Sequence, residues 1–85
     1  MRYIVIIKAS AQKQIAKLPR GYQNKVKKVI LGLADEPRPH GCKKLIGSVN
    51  IYRIRVGDYR IVYEIVSNQL MVYIFDVDHR KDVYR

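Results

Sequence analysis

The apolar residues of this chain change their spacing once, and the change falls on a short proline-bearing stretch. After one brief β-run, they recur at helical spacing up to Ala34; from residue 49 onward they alternate or run together as strand residues do. Between the two regimes lies "DEPRPHGCKK", in which Pro37 and Pro39 each remove a backbone donor and turn the preceding residue away from helix. A chain built this way has to lay helices on a sheet formed mainly by its second half, which makes it α+β. At 85 residues it holds one modest core, so residues 1–85 are read as a single domain.

The elements follow from local pattern. "YIVII" (residues 3–7) is a continuous apolar run, as in a strand buried on both faces and central to its sheet. "SAQKQIAKL" offers Ser10 as an N-cap with Ala11, Ile15 and Leu18 at helical spacing, before Pro19 and Gly21 interrupt it. From Tyr22 to Ala34, Tyr22, Val26, Val29, Ile30 and Leu33 fall in one stripe of roughly 100°, with the lysines outside it. The two helices are expected to form an antiparallel hairpin. Three strands follow, near residues 49–56, 59–66 and 70–77, with turns at Gly57-Asp58 and Ser67-Asn68-Gln69. The expected whole is an N-terminal strand, a two-helix hairpin and a three-stranded antiparallel meander in one four-stranded sheet. The polar end, "DHRKDVYR", is read as a tail or a short helical turn.

Charge narrows the partners. The chain carries 17 Lys+Arg against 7 Asp+Glu, a formal +10, which favours a polyanion through counterion release. Residues 1–48 hold 11 of the basic groups and only 2 of the acidic ones. Lys25, Lys27 and Lys28 can serve as a solvated helix face or as phosphate contacts that dock the protein on an anionic partner. Cys42 is the single cysteine, which excludes an internal disulfide and a Cys-rich zinc site and fits a reducing compartment. The apolar run at residues 4–7 is too short for a signal-peptide core or a membrane span, so a cytoplasmic protein without a membrane partner is expected.

The most unusual feature is the hairpin "NIYRIRVGDYRIVYEI". With Gly57-Asp58 as a two-residue turn, Val56 faces Tyr59, Arg55 faces Arg60, Ile54 faces Ile61 and Arg53 faces Val62. Tyr52, Ile54 and Val56 then belong to the core, and all three arginines share the other face. Directly opposed arginines cost up to about 1 kcal/mol. One compensation is internal, through Glu64, Asp58 or Asp76; the other is a bound anion, since forked guanidinium donors match phosphate oxygens. If the last strand is central, the residues after Val77 return toward the same edge and bring His79, Arg80, Lys81, Tyr84 and Arg85 near Arg60. Cations around Tyr84 would lower its pKa by favouring tyrosinate. Cleavage of RNA needs a base for the 2′-hydroxyl, cations for the phosphorane-like transition state and an acid for the leaving oxygen. Arginine meets the second need; His40, Glu64 and His79 are the few ordinary bases. Asp76, Asp78 and Asp82 are the only clustered carboxylates and lie among cations, and there is no Gly-rich phosphate loop or HExxH, so neither metal nor cofactor is expected.

The order of elements, with "KKLIGSVNIYRIRVGDYRIVYEI" and "VDHRKDVYR", resembles the RelE/ParE superfamily of toxins from type II toxin-antitoxin pairs. It resembles most the RelE branch, whose members cleave mRNA in the ribosomal A site by 2′-hydroxyl attack. The resemblance implies an mRNA endoribonuclease in which Arg53 and Arg55 match the branch's basic pair and Arg60 stabilises charge or donates a proton. It also implies that Arg80 contacts the transition state and Tyr84 stacks on a base or takes the 2′ proton. Many relatives have lysine at the positions of Arg53 and Arg55; arginine does not deprotonate readily, so the general base is not assigned there. Lys25, Lys27, Lys28, Lys43, Lys44, His79, Lys81 and Arg85 would bind ribosomal RNA and mRNA. Implied partners are the ribosome with mRNA and a cognate antitoxin, whose complex with the toxin binds operator DNA. The ParE branch shares "GDYRI" and inhibits DNA gyrase without cutting nucleic acid, which is the alternative activity. A basic adaptor without toxicity is the third.

Overall fold

The structure, a computed structural model, describes residues 2–79. Strand β1 (Ile4–Ile7) leads into helices α1 (Ala9–Ala16) and α2 (Arg20–Gly32), followed by strands β2 (Lys43–Lys44), β3 (Ile51–Val56), β4 (Tyr59–Val66) and β5 (Met71–His79). They form one sheet in the order β1-β5-β4-β3-β2, in which β1 runs parallel to β5 and the other pairs are antiparallel.

Both helices cover one face. Ala11 and Ile15 from α1, and Val26, Ile30 and Leu33 from α2 and its end, meet Val56, Ile61, Tyr63, Ile65, Val72, Ile74 and Val77 of the sheet in a single core. The helical stripe therefore does what its spacing predicts, and Lys25, Lys27 and Lys28 stay exposed. The β3–β4 register is also the expected one, with Val56 opposite Tyr59 and Arg55 opposite Arg60.

Several expectations are corrected. The sheet has five strands rather than four: Lys43 and Lys44 pair with Arg53 and Tyr52 because the turn after Leu45 folds them back onto β3. Two lysines carry no alternation from which a strand could be read. The first strand is not central but an edge. Val5 and Ile7 pack on the core, whereas Ile4 and Ile6 are 61% and 38% exposed, a one-sided burial that a continuous apolar run cannot reveal. Lys8, not Ser10, stands at the N-cap of α1, and Pro19 opens α2 rather than merely ending α1. Strand β5 continues through Asp78 and His79, two residues past the expected end. Polar side chains are compatible with a strand there, because Asp78 projects from the face without helices. An irregularity between Val62 and Tyr63 leaves Phe75 outside the pairing and brings Asp76 opposite Val62 and Asp78 opposite Arg60.

Beyond Ile74, β5 has no β1 residue beside it, and α1 satisfies that edge with side chains. Val77 N–H donates to Gln14 Oε1 at 2.8 Å, the Gln14 amide donates to Asp76, and Ser10 Oγ donates to the Phe75 carbonyl at 3.4 Å. Gln14→Leu leaves the N–H of the buried Val77 without this acceptor and is expected to cost about 1–3 kcal/mol in urea denaturation, with the m-value unchanged.

Tyr63 lies at the centre of the core, fully buried, with its hydroxyl donating to the Pro37 carbonyl at 2.9 Å. Burial first, and then nearby Cys42, push its phenol above the ordinary 10.0. Below the unfolded pKa this contribution is constant. Above about pH 10 the unfolded chain releases the proton while the folded one keeps it, so stability falls by up to about 1.4 kcal/mol per pH unit. Tyr63→Phe is expected to remove that one-proton component from the alkaline limb of the stability curve.

Candidate nucleic-acid interface

The face of the sheet opposite the helices is graded from apolar to basic. At one corner, Ile4 lies beside Met71 and Ile6 beside Tyr73; Tyr73 faces Glu64, which in turn faces Ile51. The next row across the strands reads Asp76, Val62, Arg53 and Lys43, and the row after it Asp78, Arg60 and Arg55. Alternation in β3 and β4 thus brings Arg53, Arg55, Arg60 and Lys43 together. Arg55 is exposed, whereas Arg53 and Arg60 are half-buried, and the Arg60 Nε is shielded from solvent.

Acidic groups near this patch are engaged or differently located. Glu64 accepts a hydrogen bond from Asn50 Nδ2 at 2.9 Å, and Asp76 accepts from Gln14. The carboxylate in register with Arg60 is Asp78, which the sequence reading missed because it ended β5 at Val77. Asp78 also accepts from the His79 N–H at 2.8 Å. Arg60 therefore stands in register between a like charge, Arg55, and an opposite one, Asp78, while the adjoining row retains Arg53 and Lys43.

Other residues chosen from the sequence lie elsewhere. Lys44 pairs with Tyr52 and so projects to the other side of the sheet from Lys43. Lys27 and Lys28 belong to the helical layer, where Lys27 borders a groove of about 330 Å³ with Ile7, Gln12, Ile15, Ala16 and Gln23. Lys25 extends over the ring of Tyr22 at 5.4 Å. His79 shares the helix-side face with Val77, edge-on to Tyr59 with ring centroids 5.3 Å apart. It borders the arginine rows at the end of the sheet without joining their face. His40 is exposed in the proline-bearing loop. Arg80, Lys81, Tyr84 and Arg85 lie outside the described residues.

Two groupings were not legible in the sequence. Arg38 donates from Nε to the Tyr52 hydroxyl at 3.1 Å and covers its ring at 5.3 Å, contacts that raise its already high pKa. Tyr52 in turn stacks on Tyr63, at 6.0 Å between centroids, fastening the loop to the sheet. The other grouping is Tyr22, Tyr59 and His79, contributed by α2, β4 and β5. No periodicity connects residues so far apart in the chain.

The two-helix layer on a mixed sheet is a fold this chain shares with solved RelE toxins. The archaeal RelE in a RelE–RelB complex from Pyrococcus horikoshii superposes with a TM-score of 0.84 at 28% identity, covering 94% of this chain and 97% of that one. A mutant of Escherichia coli toxin RelE in the free state gives 0.82 at 26%, over 99% and 92% of the two chains. Toxin RelG of Mycobacterium tuberculosis is 33% identical over 100% of this chain and 99% of its own. Residues 5–84 match the family described as "ParE toxin of type II toxin-antitoxin system, parDE". The chain belongs to that toxin family, within the RelE/ParE superfamily, and is a RelE-like toxin of a toxin-antitoxin system. Among its described residues, no helix is long and apolar enough to cross a membrane.

Proposed function

We propose that the protein is a ribosome-dependent mRNA endoribonuclease that cleaves A-site codons by attack of the 2′-hydroxyl on the adjacent phosphate. The observation that carries this reading is the convergence of Arg53, Arg55 and Arg60 in two neighbouring rows on an uncovered sheet face. Guanidinium groups fixed by strand pairing are suited to the extra negative charge of a pentacoordinate phosphorus, and pairing fixes them before substrate arrives. Attack forms the 2′,3′-cyclic phosphate and releases the 5′-hydroxyl. Tyr84 takes the 2′ proton or stacks on a base, and Arg80 adds a further contact to the transition state. The reaction is metal-independent in this reading, with guanidinium groups supplying the charge stabilisation at phosphorus.

Arg53, Arg55 and Arg60 are poor proton acceptors, so the site depends on the ribosome to hold the 2′-hydroxyl in line. Free RNA is then a poor substrate. Lys25, Lys27, Lys28, Lys43, Lys44, His79, Lys81 and Arg85 contribute to ribosome and mRNA binding, with Lys43 nearest the arginines in register. The cognate partner is an antitoxin with a segment that folds as it covers the basic surface, and the joint complex binds operator DNA. RelE–RelB complexes among the structural relatives support such a partner.

The family description names ParE toxins, and the resemblance to the ParE branch implies a second reading, inhibition of DNA gyrase without nuclease activity. Mapping 5′ ends of mRNA after incubation with programmed ribosomes separates the two, with Tyr84→Phe as control. Ribosome-dependent cuts at the A-site codon, reduced in the control, support the nuclease. Intact mRNA from a protein that still arrests growth supports gyrase inhibition.

A further inference from the structure

The arginine-bearing hairpin is braced from the far side of the sheet by one aromatic residue of α2. The ring of Tyr22 meets that of Tyr59 edge-on, with centroids 4.7 Å apart at 66°, and Tyr59 meets His79 in the same manner at 5.3 Å. Tyr22 also lies directly against the β3–β4 turn. A Cβ placed on Gly57 would come within 2.6 Å of Tyr22 Cε1 and 2.8 Å of its hydroxyl oxygen. Gly57 is therefore required twice, by its φ of +59° and by the closeness of this ring.

The connection to the site is short. Tyr59 immediately precedes Arg60 and pairs with Val56, which immediately follows Arg55. The turn that Tyr22 supports is the one that sets Arg55 and Arg60 opposite each other. A two-residue hairpin at the end of a sheet tends to twist and fray, and its arginines repel across the pair. An aromatic brace beneath the turn resists both tendencies.

We propose that Tyr22 is a positioning residue, acting through Gly57 and Tyr59 to hold Arg55 and Arg60 in the arrangement that phosphate chemistry requires. This rests on the nuclease reading given above. Small displacements of charge-stabilising groups reduce rate far more than they reduce stability or binding, so the effect belongs in the saturating rate.

The test is single-turnover cleavage of mRNA on programmed ribosomes by wild type, Tyr22→Phe, Tyr22→Leu, Gly57→Ala and the Tyr22→Leu/Gly57→Ala double variant, each checked for native circular dichroism. Tyr22→Phe keeps the ring and is expected within about 2-fold of wild type, whereas Tyr22→Leu is expected to lower the saturating rate about 10- to 100-fold. The ribosome concentration at half-saturation should change by less than about 3-fold, because docking cations are intact. Gly57→Ala both displaces Tyr22 and strains the turn at its positive φ, so it should lower the rate at least as much as Tyr22→Leu. Its further effect in the Tyr22→Leu background should be smaller than in wild type, because only the backbone strain is left there. Wild-type saturating rates in folded Tyr22→Leu, strictly additive losses in the double variant, or a defect confined to half-saturation would each overturn the proposal. Absence of cutting by wild type itself would instead remove the nuclease reading on which it rests.

Discussion

Replacing Arg60 with alanine is expected to slow mRNA cleavage at saturating ribosomes by roughly 10²- to 10³-fold, equivalent to about 3 to 4 kcal/mol of transition-state stabilisation. The size follows from its placement. Arg60 is half-buried, shielded at Nε and fixed by pairing on both sides, so its charge is preorganised rather than recruited from solvent. Stability should change much less, because its row contributes nothing to the core. Truncation removes the repulsion with Arg55 and the attraction to Asp78, and these contributions offset each other. Arg60→Lys, which keeps the charge and loses the fork, is expected between the two. The measurement is single-turnover cleavage beside a thermal melt. A folded Arg60→Ala protein that cuts at a rate near wild type would take this residue out of the mechanism.

The hairpin was legible in the sequence because two residues of turn fix its register, and register determines which side chains share a face. That logic located Arg53, Arg55 and Arg60 together and assigned Tyr52, Ile54 and Val56 to the core. The helical stripe was legible for a similar reason: Val26, Ile30 and Leu33 repeat at a spacing only a helix brings to one side. What local pattern does not carry is how many neighbours an element acquires. "IVII" reads the same whether one face or two are covered, and the edge position of β1 follows from where α1 and β5 go. Lys43 and Lys44 become a strand only because the turn after Leu45 folds them back. Asp78 was missed since its polarity marked the end of a strand; on an uncovered face that polarity is ordinary. The Tyr22–Tyr59–His79 contacts depend on tertiary packing among three elements, which sequence spacing does not encode.

Tyr63→Ala is expected to cost about 3–5 kcal/mol in urea denaturation, the usual range for emptying an aromatic site in a closed core. Against a total of about 4–13 kcal/mol for a domain of this length, at roughly 0.05–0.15 kcal/mol per residue, that loss is from about a quarter to the whole of the stability. Tyr63→Phe removes only the hydroxyl that serves the Pro37 carbonyl and should lose about 1–3 kcal/mol. If the two variants are equally destabilised, the ring is not the packing element its full burial indicates. The consequence for function differs from that of Arg60. Tyr63 holds Tyr52 by stacking, Tyr52 holds Arg38, and together they fasten the proline-bearing loop on the helix side of the sheet. Arg53 follows Tyr52 in β3 but points the opposite way, so loosening the loop need not displace it. In the cold, where Tyr63→Ala remains mostly folded, cleavage per folded molecule is therefore expected to stay near wild type. Activity should then fall with temperature only as the folded population falls. A loss of rate that precedes unfolding would mean the core holds the arginine face in place as well as holding the protein together.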